Sequence, residues 1–526
     1  MKIGEIVSAS VLGGLYAKLQ LENPEDLRIA YPVIVEGKTY DFYCMVEDIL
    51  NEESEIAEQL AGSAMGNVIV PTGETHEGFA GPIFYSKAKL RPIQLIGKKD
   101  RKLSEPQTIP PYFSECRHAT KEDVELIYHP TAKSATIGSI TGVEPFYVQL
   151  DFEKLVEKPF AIYGRTGVGK SILNKLLCCA ILAKKAGSVL IFDMHGEYGV
   201  YSNTDNTEGL KYYFPHDVEV FSLDSENMEA RQFILEPEFI EPDDLVVALN
   251  NLSDQMVDMI YQIDRERGQK DLITAIRTLD SANLDESKMH PATAQALQRR
   301  MSRISRLPFI RKGGGKDAFG QLMAVIKQGK SIVLDFGEFG TDATVYLFLA
   351  NVLARRLFEQ YTEMNEQYPR LIVFLEEAHR FLAPAVSSYT IFSKLARETR
   401  KFNLILAIVD QRPSQIDQEV RSQVANRLVM SLKEPSDVES ALAGVPDRAM
   451  WQNIISTIPP RTVAVIGDAI RIPTVIDVMP YKDIEVREHI LGTGAWTVDK
   501  EKELASKADD VFGKGSEQPQ PLGKPK

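Results

Sequence analysis

Four cysteines in 526 residues, Cys44, Cys116, Cys178 and Cys179, leave little room for thiol or metal chemistry. None sits in a CxxC pair or beside histidines at zinc spacing, so no structural metal is expected. Cys178 and Cys179 fall in the apolar run LLCCAILA, where small buried thiols are the plain reading. No run approaches the roughly 20 apolar residues of a membrane span, and the opening MKIGEIVSAS has no apolar signal core. A cytoplasmic location without membrane contact is the expectation. An excess of basic residues is also missing. The formal net charge of −14 opposes general adhesion to polyanions, so any nucleic-acid contact must be local.

Hydrophobic residues make up 44% and charged residues 25%, which is ordinary for a globular chain, and the length asks for more than one core. Residues 1–98 alternate short apolar runs with Gly, Pro and Asn, the pattern of a small β-barrel or sandwich, with a helical excursion at 52–62. A charged, Pro-containing stretch, 99–136, reads as a linker. Residues 137–225 and 326–498 then carry nearly continuous apolar runs separated by helical patterns. This is an α/β core with a mainly parallel sheet, its strands covered on both faces. Residues 226–325 show helical periodicity over too great a length for a loop and read as an inserted helical subdomain. Its basic cluster, Arg299, Arg300, Arg303, Arg306, Arg311 and Lys312, suits either phosphate contact or a solvated helix face. The extension 499–526 ends in a Pro/Gly/Lys-rich tip expected to be disordered.

One stretch has no rationale as core packing. AIYGRTGVGKS, at 161–171, contains the complete pattern GxxxxGK[ST] in Gly164, Arg165, Thr166, Gly167, Val168, Gly169, Lys170 and Ser171. Such a loop turns tightly so that backbone N–H groups point at phosphate oxygens, which side chains would block. An apolar strand stops at the first glycine and a helical run through Ile172 starts at the lysine, the context that the motif requires. Lys170 would reach the β and γ phosphates, and the Ser171 hydroxyl would ligate Mg²⁺. The loop is therefore expected to hold a nucleoside triphosphate.

Hydrolysis needs acids at a strand end. LIVFLEEAH supplies Glu376 as the carboxylate on the metal side and Glu377 as general base. Gln411, ending LILAIVDQ, either senses the γ-phosphate or simply ends a strand. FSKLARETRKF places Arg397 and Arg400 three apart on one helix face. They could serve a neighbouring subunit as an arginine finger, or pair locally with acids and solvent. His195 reads as a structural, hydrogen-bonding histidine, and His379 reads either the same way or, from its closeness to the acids, as a residue that supports them.

In order and spacing, GRTGVGKS, VLIFDMHGEY, LIVFLEEAHRFL, LARETRKF and IVDQRPSQID resemble the HerA-type ATPases, relatives of the FtsK and conjugative-coupling translocases. RTVAVIGDAIRIPTVIDV is similar to their closing strands, and the opening β domain resembles their HAS-barrel. The resemblance implies a RecA-like P-loop core and ATP with Mg²⁺ as cofactors. It further implies a homohexamer hydrolysing ATP between subunits and driving duplex DNA, with a NurA-like partner nuclease in DNA end processing. Alternatively, such relatives assemble or control an effector in antiphage defence. The resemblance assigns nucleotide contacts to Lys170 and Ser171, Mg²⁺ and water to Glu376 and Glu377, γ-phosphate sensing to Gln411, and the trans arginine to Arg397 or Arg400, with Arg397 favoured. Where many relatives read REGRKFG this chain reads RETRKFN, with Thr399 and Asn403 in place of glycines.

Two other readings compete. A P-loop kinase would not need Gln411 and the arginines, and an ABC-type ATPase would carry an LSGGQ-like signature, which is not evident. A scaffold locked by nucleotide would bind ATP without DNA-stimulated turnover.

Overall fold

The computed structural model describes residues 2–21, 23–53, 84–140, 146–249, 252–280, 290–312, 318–363, 368–398 and 402–492. Most of the excursion expected at 52–62, the extension 499–526 and Arg400 lie outside these residues.

Strands β1 (Lys2–Ser10), β2 (Gly14–Leu19), β3 (Pro32–Glu36), β4 (Tyr40–Glu53) and β5 (Phe84–Gly97) form an antiparallel barrel. A two-residue strand, β6 (Leu103–Ser104), adds to β5. The barrel closes through β7 (Glu115–His118), which pairs with both β1 and β3, giving the order β2-β1-β7-β3-β4-β5 and back to β2. Alternation assigns the faces. Val33, Val35, Phe42, Cys44 and Val46 fill the barrel, while Ile34 and Tyr43 between them belong to the core of the next domain.

The stretch expected as a linker, 99–136, is therefore folded. It supplies β6, β7, the start of β8 and a helix at Lys121–Ile127, with Thr120 and Asp123 capping that helix reciprocally. Arg117 of β7 donates to Asp123 at 2.7 Å. Four residues reading ECRH are too few and too polar to show a period of two, so the sequence pattern does not reveal the strand.

The second domain is built on one sheet of twelve strands. They are β8 (Ser134–Ile140), β9 (Phe146–Asp151), β10 (Phe160–Tyr163), β11 (Ser188–Asp193), β14 (Val218–Ser222), β15 (Arg231–Gln232), β16 (Ser331–Asp335), β17 (Leu371–Glu376), β18 (Leu404–Asp410), β19 (Asn426–Met430), β20 (Thr462–Ile466) and β21 (Thr474–Val478). A separate hairpin joins β12 (Tyr201–Ser202) to β13 (Thr207–Glu208). The order is β15-β14-β16-β11-β17-β18-β10-β19-β20-β21-β8-β9. Pairing is parallel from β15 to β19 and antiparallel beyond. This is the RecA-like arrangement in which a strand, here β18, separates the loop strand β10 from the acid-bearing β17.

Within 226–325 the described helices are Pro242–Ala248, Asp254–Glu266, Leu272–Arg277, Pro291–Ile304 and Ala318–Lys327. They do not enclose a core of their own. Leu245, Ile260, Leu272, Leu297 and Met301 share one apolar cluster with Leu190 and Phe192 of β11. The junction is fixed by buried polar groups: Asp244 accepts from Arg355 at 2.9 Å and from Asn351 at 2.8 Å, and Asn351 in turn accepts from the Ile391 backbone at 3.1 Å. In the basic cluster, Arg303 pairs with Asp342 at 2.6 Å and Lys312 with Asp271 at 3.0 Å, so part of its charge is met inside the chain. Among the described residues no helix is long and apolar enough to cross a membrane.

Candidate functional site

Strand β10 is buried along its length and ends at Tyr163, and the next helix, Lys170–Ala183, starts at the lysine. Gly167 and Gly169 take φ of 78° and 102°, backbone that L side chains rarely adopt. Gly164 is needed for a different reason. A Cβ there would stand 2.9 Å from Cβ of Met430 on β19. The loop is slung between neighbouring strands: the Gly164 N–H donates to the Asp410 carbonyl at 3.1 Å, and the Arg165 N–H to that of Ser431 at 3.1 Å. Lys170 folds back to donate to the carbonyls of Gly164 at 2.6 Å and Arg165 at 3.1 Å. Burial pushes its pKa down, against the pull of Glu377, Asp410 and Glu376.

A cavity of about 400 Å³ opens over this loop, with Lys170, Ser171, Glu376, Glu377, Gln411 and Arg461 on its walls. Because β18 lies between β10 and β17, the residue after it falls between the glycine loop and the acids. Gln411 accepts from Thr166 Oγ1 at 2.6 Å and donates to Glu377 Oε2 at 3.1 Å and Oε1 at 3.3 Å. The backbone of Glu377 has φ of 49°, a left-handed turn that carries its side chain off the line of β17.

Glu376 is held differently. Tyr198 Oη donates to its Oε1 at 2.5 Å and accepts from Asn174 Nδ2 at 3.1 Å. Burial drives the Glu376 carboxyl up to about 7; the Tyr198 bond opposes this, and Asp193, Glu197 and Glu377 add to it. Tyr198 is positioned by Asp193, whose carboxylate accepts the N–H groups of Glu197 and Tyr198, each at 2.9 Å. Burial pushes Asp193 itself up to about 6. Glu197, Glu376 and Glu377 thus line the same cavity as Ser171, and this excess of negative charge suits a divalent cation. Among the described residues no three or more His, Cys, Asp or Glu form a metal cage, so Mg²⁺ would depend on nucleotide oxygens for its remaining ligands.

Asp410, at the end of β18, accepts the N–H of His379 at 2.5 Å and of Arg412 at 2.6 Å, and faces His379 Nδ1 at 3.1 Å. His379 therefore ties the ends of β17 and β18 together. His195, expected to be a hydrogen-bonding structural residue, instead stands exposed on the cavity wall. Its side chain makes no hydrogen bond or ion pair among the described residues. Arg397 lies on the helix Ile391–Glu398, whose apolar residues Ile391, Phe392 and Leu395 are buried. Its own side chain points outward, to Glu419 at 3.1 Å, and does not reach the cavity of its own chain.

Sequence reasoning singled out the loop, the two acids and Gln411, which the fold brings together. It missed Asn174, Asp193, Tyr198, Asp410 and Arg461. The spacing Asp193 to Glu197–Tyr198 inside FDMHGEY is a readable signal for the Asp193 turn. The others depend on sheet order.

A profile described as the helicase HerA central domain matches residues 135–357. The DNA double-strand break repair helicase HerA of Sulfurisphaera tokodaii is 25% identical over 501 residues, covering 90% of this chain and 89% of its own length. Its namesake from Saccharolobus solfataricus is 25% identical over 451 residues, covering 82% and 84%. Among solved structures, the unbound bacterial conjugative coupling protein TrwB is similar in fold, with a TM-score of 0.50 at 12% identity over 69% of this chain and 93% of its own.

Proposed function

We propose that the chain is a HerA-type P-loop ATPase and works as a hexameric, ATP-driven translocase and helicase of duplex DNA; the match of residues 135–357 to the HerA central-domain profile and a likeness to HerA proteins over most of the chain support this reading. It would hydrolyse ATP at subunit interfaces and act with a NurA-like partner nuclease in DNA end processing. The observation that carries this reading is Gln411, hydrogen-bonded at once to the nucleotide loop and to the second acid. A kinase has no need of such a link, whereas a motor needs the state of the γ-phosphate to reach the segment after β18.

The residues divide the work as follows. Lys170 exchanges the carbonyls of its own loop for β and γ phosphate oxygens, and the loop N–H groups cradle the rest. Ser171 and Glu376 would hold Mg²⁺, which supplies charge neutralisation on the transferring phosphoryl group. Tyr198 keeps Glu376 oriented. Glu377, displaced from the strand by its left-handed turn, aligns a water and takes its proton. Among the described residues Arg461 is the only arginine on the cavity wall, across the glycine loop from the acids, and Arg397 faces outward, where a neighbouring copy would present it, or Arg400, to the γ-phosphate. The test is phosphate release with and without linear duplex, alongside native mass. Turnover stimulated by duplex in a ring-sized species is expected. A protein that hydrolyses no ATP with duplex present would refute the proposal.

A further inference from the structure

The cavity has a second rim that the hydrolytic residues leave unused. The sheet order β17-β18-β10-β19-β20 puts both acids and Gln411 on one side of the glycine loop. Pro460 and Arg461, just ahead of β20, stand on the other side. A triphosphate that directs its γ-phosphate toward Glu377 must therefore send its nucleoside toward Ile172, Pro460 and Arg461, all of which line the cavity.

Arg461 is held there from two directions. Its N–H donates to the Val168 carbonyl of the loop at 2.8 Å, and its carbonyl accepts from the Val478 N–H of β21 at 2.8 Å. Its φ is 62°, left-handed backbone that a glycine would adopt without strain. The side chain runs alongside the loop, with Cγ 3.5 Å from where a Cβ on Gly169 would be. It is exposed and makes no hydrogen bond or ion pair among the described residues. A strained backbone thus carries an unengaged guanidinium to the nucleoside side of the cavity. A planar guanidinium stacks well on aromatic faces, and stacking does not depend on which base is present.

From this placement we infer that Arg461 is a base clamp, stacking its guanidinium on the nucleobase of the bound nucleotide. The inference rests on the nucleotide-binding reading above. The experiment measures displacement of a fluorescent ADP analogue from wild type, Arg461→Gly and Arg461→Lys by ADP, GDP and inorganic tripolyphosphate. Glycine suits the backbone, so Arg461→Gly should melt no lower than wild type. Its Kd for ADP and for GDP should rise about tenfold, with tripolyphosphate unaffected. Arg461→Lys, which keeps the charge and loses the plane, should recover less than half of that loss in log units. Unchanged ADP affinity in Arg461→Gly would overturn the clamp while leaving nucleotide binding intact. Equal weakening for tripolyphosphate would also overturn it, by placing the guanidinium on a phosphate. A wild-type protein that binds neither nucleotide would remove both the clamp and the reading beneath it.

Discussion

Replacing Glu377 by glutamine removes one charge and almost nothing else. The side chain keeps its length, the backbone can keep its φ of 49°, and the new amide oxygen can still accept from Gln411 Nε2. What disappears is the proton acceptor. A general base typically contributes 10²–10⁴ in rate, or ~3–5 kcal/mol, and turnover at saturating ATP should fall by about that factor. Nucleotide affinity should not fall with it. Glu377 is one of the negative charges facing Lys170 and Glu376, and losing it lessens repulsion of the triphosphate by about 1 kcal/mol or less in a half-exposed cavity. Phosphate release and equilibrium nucleotide binding, measured on the same preparation, separate the two effects. Turnover within about threefold of wild type in the Glu377→Gln protein would refute the assignment of the base, and lost binding would show that the residue serves the ground state instead.

Three further outcomes follow from the geometry. On the proposed trans role of Arg397, neither Arg397→Ala nor Lys170→Ala subunits should hydrolyse ATP alone, but a mixture of the two should regain activity, because an intact Arg397 then meets an intact loop across some interfaces; no recovery in a titrated mixture would exclude Arg397 as the trans residue. Asp244→Ala strands Arg355 and the amide of Asn351 in a buried junction, and should cost ~3 kcal/mol of stability, the lower end for a broken buried pair because Glu241 and Glu359 still reach Arg355 at 3.0 and 2.9 Å. Urea unfolding should show the drop, and Asp244→Asn a smaller one. The four cysteines are buried and unpaired, with burial holding Cys116 and Cys179 up to about 12 and Cys44 and Cys178 well above the ordinary thiol range. A thiol reagent at pH 8 should therefore find almost no reactive group in the native protein and four after denaturation.

The fold was legible where pattern and length were both strong. The runs LIVFL in β17 and LILAIV in β18 read as doubly covered strands because both faces are buried, and the glycine loop announced itself by what precedes and follows it. Strand order is not written locally. Nothing in the chain says that β18 lies between β10 and β17, so the bond from Thr166 to Gln411, across 245 residues, and the fastening of His379 by Asp410 emerge only in three dimensions. Arg461 is similarly silent, since an arginine in a polar turn has no pattern to betray a left-handed backbone. The apparent linker misled because charge and proline dominate its composition, while β7 rests on one buried side chain, Cys116, and on hydrogen bonds to two partners.

That late strand also governs how the molecule can be dissected. A fragment ending near residue 98 would lack β7 and present two raw β edges, on β1 and β3, as templates for aggregation. A fragment of the second domain beginning there would carry an orphan strand and lay bare the surface that Ile34 and Tyr43 normally cover. Any cut meant to free one half from the other belongs after His118, and even there the two halves part with an apolar wound on each side.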